Sequence, residues 1–355
     1  MPPIPKNARN ILIRSTNWIG DAIMTTPAIR SIRSNFPEAQ ITLLALPWVK
    51  DVFRASPHID QIFIYDKQGR HKGLQGKLRL AGELRKKNYD LTILLQNAFE
   101  AALITFLARI PVRGGYTTDG RSLLLTHGVR KHHAIKTRHQ RHQVHYYQEM
   151  IQGLGLQQSQ NNLELFLDPA AEQEANALIN KGLQGEKREN IPIIGLNPGA
   201  AYGPAKCWPA AKYAELARRL SDTTNGLIVL FGTQADQKAA DEIRAVAGKR
   251  IMDLTGKTTL ALALACIARC HVFVTNDSGL MHVAAALNTP LVAIFGSTDH
   301  IATGPYSEQA TVVRQPVECS PCMKTHCPKE HFQCMEGITV QEVEQAALQW
   351  LKKKG

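Results

Sequence analysis

Residues 271–295, HVFVTNDSGLMHVAAALNTPLVAIF, read as strand, turn, helix and strand. His271–Thr275 is short and β-rich. Asn276-Asp277-Ser278-Gly279 is a cluster of turn residues, and Leu280–Leu287 is Ala-rich with helical character. Leu291–Phe295 is a second strand. A strand leading through a helix into another strand is a βαβ unit, and such units build parallel sheets.

The same alternation spreads outward in both directions. Further strands are expected at Ile191–Leu196 and Leu227–Phe231, with helices at Ala210–Ser221, Ala235–Ala247 and Thr259–Ala268. An earlier series has strands at Asn10–Arg14, Gln40–Leu46, Gln61–Tyr65 and Asp90–Leu95, and helices at Asp21–Asn35, Gly73–Lys87 and Ala98–Ala108. Between the series lies a polar stretch, Gly182–Asn190, that reads as a linker. The expectation is an N-terminal Rossmann-like domain over 1–182, a second one over 183–338, and an amphipathic helix within 339–355. Ligands of open α/β sheets sit beyond the carboxyl ends of the strands, so motifs that follow strands carry the most weight.

A chain of 355 residues suits two domains, and 44% hydrophobic with 20% charged residues is ordinary globular composition. The net charge of +12 points to anionic partners. No dense Lys/Arg tract interleaved with aromatics argues for nucleic acid. The basic segment Arg130–His145 reads as a solvated loop and helix start. The first residues lack the apolar core of a secretory signal, and the most apolar run, Leu260–Val274, is interrupted by Arg269 and His271. A cytoplasmic protein with mostly reduced cysteines is expected.

Four motifs could carry chemistry. In Ser15–Ala22, Gly20 allows a tight turn and Asp21 falls at a helix start, where the dipole favours a carboxylate. Asp21 could accept a proton from a substrate hydroxyl, or it could simply cap the helix. This loop is not GxGxxG, which argues against a nicotinamide cofactor. In Thr275–His282, a helix N-terminus with Ser278 and Gly279 could receive a phosphate, with His282 one turn on; the alternative is a capped helix with a packed histidine. In Asn197–Pro209, a Gly/Pro-rich loop presents Lys206, a point charge suited to phosphate or merely a solvated lysine. Finally, Cys319-x2-Cys322-x4-Cys327-x6-Cys334 is compatible with a small structural zinc site, with free thiols or with disulfides. It matches no standard zinc-ribbon or ferredoxin spacing. A structural role away from the chemistry is expected of it.

Three segments, NWIGDAIMTTPAIRSIRSNFPEAQITLLA (17–45), GLNPGAAYGPAKCWP (195–209) and TNDSGLMHVAAALNTPLVAIFGSTD (275–299), together resemble the ADP-heptose:lipopolysaccharide heptosyltransferases, within them the heptosyltransferase II group. The likeness runs from Ile11 to about Pro305. It implies a GT-B fold, two facing Rossmann-like domains with the nucleotide held by the second. It implies Asp21 as general base, and Lys206, Asp236, Asp277, Ser278, Gly279, Leu280 and His282 as donor contacts. Arg113 and Arg121 are candidate contacts to the acceptor, a heptosyl-Kdo2-lipid A. The implied reaction is an inverting transfer of heptose from ADP-heptose in lipopolysaccharide inner-core synthesis of a Gram-negative cell. No cofactor is required, and the enzyme would lie peripherally on the inner face of the inner membrane. The cysteine-rich segment departs from the best-known members. Rival readings are heptosyltransferase I or III, a nucleotide-sugar epimerase on the same fold, and a non-catalytic nucleotide-sugar-binding protein.

Overall fold

The structure, a computed structural model, describes residues 4–131, 141–183, 191–248 and 250–354. Most of the expected linker, and much of the basic segment 130–145, lie outside the described residues. The chain forms two compact units, Met1–Phe166 and Leu167–Gly355.

The first unit runs β1 (Asn10–Arg14), α1 (Ile19–Met24), α2 (Thr26–Asn35), β2 (Gln40–Ala45), α3 (Lys50–Phe53), β3 (Gln61–Ile64), α4 (Gly73–Arg85), β4 (Leu91–Leu94), α5 (Phe99–Leu107), β5 (Val112–Tyr116), β6 (His127–Val129) and α6 (Gln143–Gly153). Its six strands pair in the order β3-β2-β1-β4-β5-β6, all parallel. Helix 21–35, expected as one piece, is two. Pro27 has no N–H to give the Ile23 carbonyl, so the Thr26 hydroxyl donates to it instead at 2.9 Å. The Thr25 hydroxyl likewise donates to Ala22.

The second unit runs α7 (Pro169–Gly182), β7 (Ile193–Asn197), α8 (Ala210–Thr224), β8 (Leu227–Leu230), α9 (Gln237–Val246), β9 (Ile251–Asp253), α10 (Leu260–Ala268), β10 (Val272–Asn276), α11 (Gly279–Ala286), β11 (Leu291–Phe295), α12 (His300–Thr303), β12 (Ala310–Arg314), α13 (Gln333–Glu336) and α14 (Val340–Lys354). Its parallel strands follow β9-β8-β7-β10-β11-β12, the same order as the first sheet. The units divide sixteen residues before the expected 182/183 boundary, because α7 packs against α10 of the second unit. Helix α14 belongs to this unit too. Its Val343, Ala346 and Ala347 join Tyr213, Leu216 and Leu220 of α8 over Ile194, Leu196, Val272 and Val274 of the sheet.

Strand order reverses between β1 and β4 in one sheet and between β7 and β10 in the other. Each such switch opens a crevice at the carboxyl ends of the strands. Asp21 follows β1. Lys206 follows β7, and Asp277–His282 follows β10. The sequence motifs thus occupy the switch point of their own sheet.

Candidate active site

Asp21 is the third residue of α1, whose N-cap position is Trp18. It is therefore not the capping residue, although it lies in the first turn, where the helix dipole favours its charge. The carboxylate is half-exposed, and its field reaches Tyr147 of α6. Burial first, and then the Asp21 charge, holds the Tyr147 hydroxyl well above its ordinary value.

A charged group missed by motif reading shares this sheet edge. Arg14, the last residue of β1, is buried; its Nη2 donates to Asn17 Oδ1 at 2.8 Å, and its guanidinium lies 5.5 Å from the Tyr65 ring. Burial lowers Arg14 to about 10. The Tyr65 hydroxyl donates to Glu100 at 3.0 Å, and Lys67 and Lys77 pair with the same carboxylate at 3.1 and 2.7 Å. Burial works against the Glu100 charge, but hydrogen bonds from Lys77, Lys67 and Tyr65 outweigh it and hold its carboxyl below its ordinary value. The available signal was the run of basic residues Lys67, Arg70, Lys72 and Lys77 just after a strand.

Arg113 and Arg121 are committed to the protein itself. Arg121 is fully buried and donates to the carbonyls of Tyr116 (2.8 Å) and Gln96 (2.5 Å) and to Asn97 Oδ1 (2.7 Å). Arg113 donates to the carbonyls of Leu124 (2.7 Å) and Ile110 and lies over Phe106. A buried guanidinium must be satisfied by acceptors. Through these bonds both arginines tie the β5–β6 connection together.

In the second unit the expected donor residues converge. Lys206 Nζ sits 2.6 Å from Asp277 Oδ2 and 4.5 Å from the centroid of the Tyr202 ring. The Thr298 hydroxyl donates to the same Asp277 oxygen at 2.6 Å. Ser278 caps α11, its Oγ accepting from Met281 N, while Asn197 Nδ2 donates to Ser278 Oγ and to Thr275 Oγ1 at 2.9 Å each. Gly279 and Leu280 follow half-buried in the first turn, and His282 is buried one turn in. Asp236 closes a capping box with Thr233. It lies against the lysine loop, since a Cβ on Gly199 would fall 2.3 Å from Asp236 Oδ1.

Asn276, fully buried at the end of β10, knits the two loops. Its Oδ1 accepts from Trp208 N (3.1 Å) and from the Tyr213 hydroxyl (3.2 Å), and its Nδ2 donates to the Pro198 carbonyl (2.7 Å). Asn276→Ala would remove all three bonds, leaving the Tyr213 hydroxyl with the Asn197 carbonyl at 3.2 Å. The expected loss is about 2–4 kcal/mol, measured as a lower urea midpoint for the second unit. An unchanged midpoint would show that the loops hold without it.

Cys319, Cys322, Cys327 and Cys334 line one small cavity together with Ala205, Ser297 and His331. Backbone N–H groups, that of Phe332 foremost, lower the Cys327 thiol, while burial and then the other three thiols raise Cys334. Among the described residues no group of three or more His, Cys, Asp or Glu side chains is arranged to hold a metal ion. The cysteines of the expected zinc site are gathered, but they are not set as a ligand shell. Among the described residues, too, no helix is long and apolar enough to cross a membrane.

Residues 77–333 match glycosyltransferase family 9 (heptosyltransferase). The chain is 33% identical to lipopolysaccharide heptosyltransferase 2 of Escherichia coli K12 over 341 residues, covering 94% of this chain and 96% of that one. It is 33% identical to lipooligosaccharide heptosyltransferase 2 of Haemophilus influenzae, covering 86% and 88%. Among solved structures, E. coli ADP-heptose LPS heptosyltransferase II superposes with a TM-score of 0.80 at 29% identity, covering 97% and 99%. A family 9 glycosyltransferase from Veillonella parvula superposes with a TM-score of 0.86 at 26% identity, covering 97% and 98%. The two Rossmann-like sheets are those of a GT-B glycosyltransferase, and the epimerase and binding-only readings fall away. With a match over most of its length and relatives a third identical, the chain belongs to glycosyltransferase family 9, the heptosyltransferases.

Proposed function

We propose that this enzyme transfers L-glycero-D-manno-heptose from ADP-heptose to a heptosyl-Kdo2-lipid A acceptor, with inversion at the anomeric carbon. The observation that carries the reading is the Lys206–Asp277 pair beside the N-terminus of α11, at the switch point of the second sheet. An ammonium has three donors, and Asp277 engages it from one side only. The remaining N–H groups and the first-turn amides of α11 suit a diphosphate. As the anomeric C–O bond breaks, negative charge grows on the departing ADP, and these fixed donors stabilise it more than they stabilise the ground state. Asp21 accepts the proton of the acceptor hydroxyl as that oxygen attacks the anomeric carbon from the opposite face. A lysine and backbone dipoles supply the positive charge, so the reading calls for no divalent cation.

The test is an assay of ADP-heptose against a panel of truncated core acceptors, in buffer containing EDTA. Transfer to the monoheptosylated Kdo2-lipid A, with an inverted linkage by NMR, is the expected result. Preference for an acceptor lacking heptose would reassign the enzyme to the heptosyltransferase I reaction.

The net charge of +12 also supports reversible, electrostatic association with an anionic membrane face, where the acceptor is anchored. Sedimentation with vesicles containing anionic phospholipid should weaken steadily as salt rises from 50 to about 500 mM. Binding indifferent to salt would contradict this.

A further inference from the structure

The cysteine-rich segment does not lie away from the chemistry. Its residue Met323 is bonded on both sides to the elements that frame the Lys206–Asp277 pair. The Met323 N–H donates to the Ser297 carbonyl at 2.8 Å, next to Thr298, whose hydroxyl holds Asp277. The Met323 carbonyl accepts from the Tyr202 hydroxyl at 2.9 Å, and the Tyr202 ring lies 4.5 Å from Lys206 Nζ. Met323 itself has φ +57°, a left-handed conformation that a non-glycine residue keeps only where its surroundings hold it.

Two further contacts run the same way. The Thr325 carbonyl accepts from Ala205 N at 3.1 Å, one residue before Lys206. The Ser320 hydroxyl donates to the Gly296 carbonyl at 2.5 Å. Gly203, at φ +144°, lets the chain pass so close that a Cβ there would fall 2.5 Å from the Thr325 oxygen. Behind these bonds the four cysteines share their cavity with Ala205 and Ser297, the neighbours of Lys206 and Thr298.

We propose that the segment from Cys319 to Cys327 is a positioning element of the donor site, which fixes the Lys206 ammonium by clamping residues 202–205 to residues 296–298 through the Met323 peptide. This rests on the donor reading given above. Tyr202 is the positioning residue on the lysine side of the clamp. Its ring lies beside the ammonium by a cation–π contact, and its hydroxyl ties that ring to the cysteine-rich segment. A lysine held in place before the donor arrives loses less side-chain freedom when it binds the diphosphate, which favours affinity.

Two variants test the clamp in the full chain. Tyr202→Phe keeps the ring and removes the bond to Met323. Gly203→Ala pushes residues 202–205 away from Thr325. Both should weaken ADP and ADP-heptose binding in calorimetry by about 3–10-fold, the worth of one hydrogen bond. The acceptor KM should stay at the wild-type value, a split that a general loss of stability would not produce. Donor affinity within twofold of wild type in Tyr202→Phe would overturn the proposal, and that variant decides the matter if Gly203→Ala fails to fold. A wild-type protein that binds no ADP-heptose would instead remove the donor reading, and the clamp with it.

Discussion

Asp21→Asn should lower heptose transfer by roughly 10²–10⁴-fold, the usual worth of a positioned general base, while leaving ADP-heptose affinity close to wild type. Asparagine keeps the size of the side chain and one acceptor oxygen but cannot take up a proton. The donor residues all belong to the other unit, so their binding has no reason to change. Asp21 is not the cap of α1, and the charge–dipole interaction that Asn gives up in the first turn is worth about 0.3–1 kcal/mol. The purely structural alternative makes the opposite forecast of near-normal turnover in Asp21→Asn, with the loss of stability appearing in Asp21→Ala. Steady-state transfer rates, donor calorimetry and thermal melts on one preparation separate the two. Transfer within a few-fold of wild type would leave the proton without an acceptor in this scheme and would refute the role of Asp21.

Lys206→Ala should reduce kcat/KM for ADP-heptose by roughly 10²–10³-fold, the scale found when a preorganised donor to developing negative charge is removed. The loss should divide between a higher donor KM and a lower kcat, because charge on the leaving diphosphate increases towards the transition state. A second effect comes from the resting protein. Asp277 is buried, and without Lys206 its carboxylate keeps the Thr298 hydroxyl but loses the ammonium. Leaving a buried charge without its counter-ion is costly. The variant should therefore also melt lower than Lys206→Ala, Asp277→Asn, in which the orphaned charge is gone. A Lys206→Ala enzyme with unchanged donor kinetics would remove the leaving-group role.

The motifs were legible because both loops follow strongly patterned strands, and because glycine, proline and turn residues mark where strand gives way to helix. Gly195–Pro209 and Thr275–Asp299 each follow a strand of the second series, which puts both loops in one domain. What could not be read was partnership. Nothing in the local sequence says that the hydroxyl of Thr298 meets Asp277, or that Arg121 turns inward onto three oxygens. Apart from the Tyr116 carbonyl, five positions before Arg121, those pairings are set by the strand order, which brings together residues 21 to 25 positions apart. Strands β5, β6, β9 and β12 lie outside the expected set for a different reason. VRGGY carries two glycines, β6 and β9 have three residues each, and ATVVR is a partly exposed edge strand, so all four take their stability from neighbours more than from their own pattern. Helix α7 could have been found, since Asp168 caps it and Pro169 opens it.

Trp208 is fully buried two residues after Lys206, and its indole N–H donates to the carbonyl of Ile338 at 3.1 Å. Lys212 adds bonds to the carbonyls of Glu336 (2.5 Å) and Ile338 (2.7 Å). The floor of the lysine loop is thus made from residues synthesised more than a hundred positions later. While the ribosome is still translating β8 to β12, the lysine loop has neither this floor nor the α14 side of its core. The lysine loop of this enzyme therefore reaches its final setting late in synthesis. A nascent chain stalled before residue 336 would carry the whole lysine loop without this floor, and premature termination at the start of α14 would also strip Val343, Ala346 and Ala347 from the core behind it.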